Sequence, residues 1–261
     1  MSEGFVHVEG GRLWYEREGE GFPIVLLHPG LWDARIWDPQ FGVFARYHDV
    51  VRYDVRGYGR SDRPTLPYSD LRDLRYLLGE LRIERCALVG CATGAQLALD
   101  FTLLFPSLVD AIVVVSPGVS GYRWNDAGLE ILVDEVDDAI RAGDLQRAMD
   151  VELAVWAPLT AGPAPSAARA IAMDNLHVLR MNDDLLETPS PALAHLGDVE
   201  AATLVVVGDR DLEEVYRIAQ LLVSSIPGAS KREIANADQL VNVARPETFN
   251  QVVLDFLSFR T

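Results

Sequence analysis

Gly90-Cys91-Ala92-Thr93-Gly94 has the spacing of G-x-S-x-G, a sharp strand-to-helix turn that lifts its middle residue into a site as a serine nucleophile. Here the middle residue is alanine. The turn points to acyl-transfer chemistry, and the methyl group at its apex removes the atom that would attack. Two later segments bear on the same chemistry. Gly208-Asp209-Arg210-Asp211 is a G-x-x-D turn able to present a carboxylate, and Asn236-Ala237-Asp238-Gln239-Leu240 follows it. A carboxamide such as Gln239 does not titrate near neutral pH, so it cannot serve as the base of such a site.

These segments need strands and helices to hold them. Phe5–Val8 and Arg12–Glu16 flank Gly10-Gly11 and read as a hairpin. Pro23–His28, Val50–Val55, Cys86–Val89 and Ala111–Val115 are apolar runs of strand length. Between them, Ile36–Arg46, Leu71–Leu81 and Ala95–Phe105 have helical character. From Tyr122 to Leu186 no strand run occurs, and helices are expected over Gly128–Ala142, Leu145–Trp156 and Ser166–Met181. Alternation then resumes: strand Thr203–Val207, helix Leu212–Ser225, strand Lys231–Ile234 and helix Pro246–Phe259. The pattern implies an α/β fold, a mostly parallel sheet with helices on both faces. The expected division is a core of residues 1–120 and 190–261 with a helical cap or lid at 121–189.

In this order the motifs resemble the α/β-hydrolase superfamily over nearly the whole chain, in particular a capped esterase or lactonase. His28-Pro29-Gly30-Leu31 is similar to the loop that supplies one oxyanion-hole N–H. Asp54-Val55-Arg56-Gly57-Tyr58-Gly59-Arg60-Ser61-Asp62 matches a turn common in the superfamily. The resemblance implies Ala92 at the nucleophile position, Asp211 at the acid position and Gln239 at the histidine position, with the N–H groups of Leu31 and Thr93 as the oxyanion hole. It also implies that relatives with an elbow aspartate, such as epoxide hydrolases and haloalkane dehalogenases, are not the model here.

Both replacements fall on the groups that do covalent chemistry. Losing triad members still leaves roughly 10³- to 10⁴-fold catalysis over water from binding and the oxyanion hole. Thr93 opens a helix, where partial positive charge favours an oxyanion. Asp211 without an imidazole is expected to have its pKa raised by burial and to be held by an amide N–H from Gln239. It is then either a structural acceptor or a recruited base.

The other candidates are His28, Gly30, Trp32, Cys91, Trp124, Trp156 and His177. His28 would orient the oxyanion loop or replace the lost base. Cys91, before the apex, packs in the core or offers a thiol. His177 is an ordinary helix histidine or hangs over the pocket. The three tryptophans line an apolar cavity or pack cap against core. Asp33 and Arg35 are expected to cap the following helix, and Ser61 and Asp62 to hold the turn.

A formal net charge of −16 disfavours phosphate backbones and anionic lipid surfaces, so no nucleic-acid or membrane partner is expected. Cys86 and Cys91 are too close to close a useful disulfide, and without clustered histidine they make no zinc site. No metal or other cofactor is expected. With no leader-like segment at Met1-Ser2-Glu3-Gly4, a reducing cytoplasm is the expected compartment. The expected ligand is a medium-sized, largely apolar small molecule with a carbonyl; the oligomeric state stays open. Three functions fit: non-covalent carbonyl or enolate chemistry, ligand binding without catalysis, or an ester, lactone or C–C hydrolase inactivated by a Ser-to-Ala change.

Overall fold

The computed structural model describes residues 1–125, 127–188 and 190–258. Pro189, the expected end of the insertion, and Phe259, the expected end of the last helix, lie outside the described residues, as does Thr261. The strands are β1 (Ser2–Val8), β2 (Gly11–Glu18), β3 (Pro23–Leu27), β4 (Asp49–Tyr53), β5 (Cys86–Cys91), β6 (Val109–Val115), β7 (Ala202–Gly208) and β8 (Ser230–Ile234). They form one sheet in the order β1-β2-β4-β3-β5-β6-β7-β8. β1 with β2 and β2 with β4 pair antiparallel, and every other pair is parallel.

The helices are α1 (Asp38–Phe44), α2 (Asp70–Glu80), α3 (Thr93–Leu104), α4 (Ala127–Ala142), α5 (Leu145–Trp156), α6 (Ala167–Asp174), α7 (Glu213–Ser225), α8 (Val241–Ala244) and α9 (Pro246–Leu257). Alternate strand residues divide the core into two layers. Val25, Leu27 and Leu88 pack with Leu74 of α2, Leu99 of α3 and Leu222 of α7. Ile24, Leu26 and Val89 face Phe44 of α1 and Phe249 and Val253 of α9. Burying both faces explains why the central strands are continuous apolar runs.

The strand β5 runs to Cys91, beyond the expected Val89, and α3 starts at Thr93 rather than Ala95. The helix expected over Ile36–Arg46 is a 3₁₀ turn, Ala34–Trp37, followed by α1. Asp33 caps that turn by accepting the Arg35 N–H at 3.0 Å. The helix expected over Ser166–Met181 stops at Asp174 and resumes as a 3₁₀ turn, Leu176–Arg180. Asn175 causes the break. Its side chain donates to Asp33 Oδ2 at 2.8 Å and to the Ile171 carbonyl at 3.0 Å, and it accepts the Gly59 N–H at 2.9 Å. α4 to α6 intervene between β6 and β7, and no helix among the described residues is long and apolar enough to cross a membrane.

Several carboxylates are enclosed near the carboxyl ends of the strands. Asp54 accepts from the Ala34 and Arg60 N–H groups at 2.9 and 2.7 Å, yet burial pushes it up to about 7. Burial and neighbouring Asp73 push Asp70 up to about 7, with Oδ1 enclosed and unpartnered. Asp100, bonded to Ser120 Oγ at 2.6 Å, rises to about 6. Groups with raised folded pKa values stabilise the fold fully below the unfolded value and lose that contribution as pH climbs through the folded value. His28 and His48, held neutral by burial, act oppositely as pH falls below the ordinary histidine range. The carboxylates outnumber them, so the urea midpoint is expected to be higher at pH 5.5 than at pH 8 (both about one unit or more from the values near 7). Asp70→Asn should raise the midpoint at both pH values, and by more at pH 8 than at pH 5.5, because the loss of stability accumulates from the unfolded value up to the folded one. An equal effect at both pH values would show that Asp70 does not titrate in this window.

Candidate functional site

The carboxyl end of β5 makes the turn foreshadowed by its glycines. Ala92 stands at φ 49°, ψ −108°, a conformation that L-residues rarely adopt, at a cost of about 1–3 kcal/mol. Its N–H is anchored on the Val115 carbonyl at 2.9 Å, and its carbonyl accepts from Gln96 N at 3.0 Å. A Cβ at Gly90 would meet the Gly94 carbonyl oxygen at 2.2 Å, so the backbone can close this tightly only over glycine.

The loop after β3 is tied to the turn: the Gly30 N–H donates to Thr93 Oγ1 at 2.7 Å. Leu31 has φ 69°. Among the described residues, the N–H groups of Leu31 and Thr93 have no protein acceptor. Thr93 N–H also carries the positive end of α3. Two such donors can receive a carbonyl oxygen that gains negative charge.

His28 supports this loop from beneath. Its Nε2 accepts the Val55 N–H at 3.0 Å, which leaves Nδ1 to donate to the Pro29 carbonyl at 2.9 Å. Both ring nitrogens are engaged, and burial holds the imidazole neutral. His28 lines a second cavity with Tyr58 and Asp70, apart from Ala92. His177 bonds through Nε2 to the Gly57 carbonyl at 2.8 Å. Cys91 is fully buried with Sγ 3.5 Å from the Gln239 carbonyl oxygen, and burial pushes its thiol well above the ordinary value.

Asp211 has a partner that sequence reasoning missed. Its Oδ2 accepts from Ser116 Oγ at 2.6 Å and from the Gly208 N–H at 3.1 Å. Among the described residues the amide of Gln239 makes no hydrogen bond to it, contrary to expectation; Ser116, at φ 42° immediately after β6, donates its hydroxyl to that oxygen instead. Desolvation outweighs these bonds and raises Asp211 to about 6. Gln239 is 8 % exposed, and its Oε1 is enclosed without a partner. Next to it, Asp238 accepts the Leu159 and Thr160 N–H groups at 2.9 and 3.0 Å, which fastens the inserted segment to the turn.

These parts surround a cavity of about 380 Å³. It brings together Gly30, Leu31, Trp32, Ala92, Thr93 and Gln239 with Trp124 and Trp156 of the insertion. His28, Cys91 and His177 do not line it, and Asp211 lies behind Ser116. The indole N–H of Trp32 donates to the Ala168 carbonyl at 2.9 Å, and Trp124 meets Trp156 edge to face at 5.6 Å. Sequence reasoning also missed Glu152 of α5, which lines the cavity and accepts from Trp156 Nε1 at 2.7 Å. Burial raises its pKa, and the indole bond opposes that rise. The available signal was the Glu152/Trp156 spacing of one helical turn.

The α/β-hydrolase family model matches residues 24–252. The chain belongs to the alpha/beta hydrolase family. Among α/β-hydrolase relatives, it is 27% identical over 257 residues to the supposed carbamate hydrolase RutD of Pseudomonas savastanoi pv. phaseolicola (strain 1448A / Race 6), covering 92% of this chain and 95% of that protein. Among solved structures it is similar to Est816, described as an N-acyl homoserine lactone degrading enzyme. That match has a TM-score of 0.78 and 28% identity, over 97% of this chain and 100% of the other. A thermophilic esterase from Thermogutta terrifontis shares the fold at TM-score 0.83 and 19% identity, with both chains covered completely.

Proposed function

We propose that this α/β-hydrolase carries out non-covalent carbonyl or enolate chemistry: cyclisation, elimination, decarboxylation or isomerisation of a medium-sized, largely apolar small molecule. The insertion serves as the cap of its pocket, and the Leu31 and Thr93 N–H groups serve as its oxyanion hole. The observation that carries the reading is Ala92 at φ 49°, ψ −108° with Gln239 beside the same cavity. A turn this strained is kept although it presents no nucleophile and faces no imidazole. What it still offers is the Thr93 N–H. RutD and Est816 are named for carbamate and lactone substrates, each of which has a carbonyl that such donors would polarise. Both cysteines are free and buried, which suits a reducing compartment.

Binding of substituted nitrophenols tests the pocket without a known substrate. A phenolate resembles an enolate in charge and shape, and its absorption reports ionisation directly. The bound ligand is expected as the phenolate, with a pKa below its value in water, while 4-nitrophenyl esters show no acyl-enzyme burst. Preferential binding of the neutral phenol would overturn the oxyanion-hole reading, and a burst would overturn the non-covalent one. If carbonyl compounds bind tightly and return unchanged, the protein is a carrier or sensor on a hydrolase scaffold.

A further inference from the structure

We infer that Glu152 is the catalytic acid–base group of this pocket and that its substrate is an enolisable carbonyl compound bearing an O–H or N–H donor for Gln239. The inference rests on the oxyanion-hole reading above and adds the proton-transfer residue and the substrate class.

Proton abstraction beside a carbonyl needs a base in the same cavity as the oxyanion donors. Among the described residues, Glu152 is the one titratable side chain lining the cavity with Ala92, Leu31 and Thr93. The alternatives are engaged elsewhere. Asp211 is bonded through Oδ2 to Ser116 and the Gly208 N–H and does not line the cavity, His28 is occupied by Val55 and Pro29, and His177 by Gly57. Glu152 is held by one oxygen only. Oε2 accepts from Trp156 Nε1, and Oε1 takes no hydrogen bond among the described residues. The indole thus orients the carboxylate and leaves one oxygen to meet a substrate proton. Burial makes it a stronger base than a surface glutamate, and nearer in pKa to neutral pH, where proton transfer in both directions is efficient.

Gln239 supplies the second half of the argument. Its side chain is more than nine-tenths buried, it lines the cavity, and its Oε1 has no donor. An enclosed carbonyl oxygen without a partner is a desolvation cost that nothing in the protein offsets. A substrate hydroxyl or N–H at that point removes the cost, and a substrate lacking one keeps it. The replaced base position therefore acts as a selector.

The step balances within the substrate and Glu152. Carboxylate Oε1 takes the proton from the carbon next to the carbonyl. The C–H electron pair becomes a C=C bond, and the carbonyl π pair moves onto oxygen, facing the Leu31 and Thr93 N–H groups. The protonated Glu152 then returns the proton to the same carbon or to another carbon of the enolate, giving exchange or isomerisation.

Hydroxyacetophenones suit the test, being aromatic, enolisable and equipped with a donor; their methoxy counterparts lack it. Exchange of the methyl hydrogens in D₂O is followed by NMR for the full chain, Glu152→Gln, Glu152→Asp and Gln239→Leu, with circular dichroism confirming the fold of each. The unmodified chain is expected to accelerate exchange of at least one hydroxy isomer about 10²-fold or more over buffer. Its rate should rise with pH through one ionisation above the ordinary glutamate range. Charged groups on the elements packed against α5 include Glu135, Arg169, His177 and Arg180. Glu135 pairs with Arg147, Arg169 with Asp150 and His177 with the Gly57 carbonyl, and Asp211 is the other carboxyl group beside the cavity. Glu152→Gln should lose the acceleration and the ionisation while still binding nitrophenolate as the anion, more tightly once the like charge is gone, and Glu152→Asp should restore part of the acceleration and of the ionisation. Gln239→Leu should abolish the preference for hydroxy over methoxy compounds. Unchanged exchange and pH profile in Glu152→Gln, with phenolate binding intact, overturns the role of Glu152 alone. Loss of phenolate binding in the unmodified chain overturns the oxyanion reading and this inference with it.

Discussion

Ala92→Ser combined with Gln239→His is expected to hydrolyse 4-nitrophenyl acetate about 10²-fold or more faster than either single variant, because nucleophile and base act as a unit. The apex already has the backbone dihedrals that aim a side chain into the cavity, and position 239 lines that same cavity. Serine alone meets a carboxamide that cannot take its proton, so Ala92→Ser is expected to stay near the unmodified chain. Histidine alone has nothing to activate. Asp211, at the position proposed for the acid, is bonded through Oδ2 to Ser116 at 2.6 Å. Ser116→Ala added to the double variant should release that oxygen for the new imidazole and raise the rate again, since an unoriented histidine works poorly as a base. A strong acyl-enzyme burst from Ala92→Ser alone would contradict this account. It would mean that a working base survives elsewhere and that the alanine is an inactivating change in a hydrolase.

The scaffold was legible because its signals are backbone signals. Continuous apolar runs mark strands buried on both faces, and paired glycines mark a turn that tolerates no Cβ. Gly90 and Gly94 identify the turn whatever residue stands between them, so the alanine did not hide it. The side-chain network was less legible. Ser116 follows an ordinary apolar strand, and only its φ of 42° turns its hydroxyl onto Asp211. Nothing in the local sequence announces that. Asn175 sits inside an apparently continuous helical pattern, and it breaks the helix because its amide is drawn to Asp33, 142 residues away. Glu152 belongs to the insertion, where packing of α5 against its neighbours decides which face meets the cavity. A helical pattern gives the face but not its partner, so a carboxylate that reads as solvated can end up beside the elbow.

Gly94→Ala is expected to be strongly damaging to the site, and Gly42→Ala provides its control. A Cβ at residue 94 would lie 2.3 Å from the Leu27 carbonyl oxygen and 2.7 Å from that of His28. Both obstacles are backbone of the end of β3 and of the loop after it, so neither can rotate away. Either α3 lifts off β3 or the loop shifts, and each separates the Thr93 N–H from the Leu31 N–H. The loss of stability should be about 3 kcal/mol or more, at the upper end for overpacking. At Gly42, within α1, an added Cβ meets nothing within 4 Å. Alanine there should gain roughly 0.5–1 kcal/mol from helix propensity. Urea unfolding of the two variants compares the same chemical change in opposite settings. Nitrophenolate binding should fall for Gly94→Ala even where the protein is fully folded, and stay level for Gly42→Ala. If Gly94→Ala were as stable as the unmodified chain and bound phenolate equally well, the close approach of α3 to the loop after β3 would not be what positions the two proposed donors.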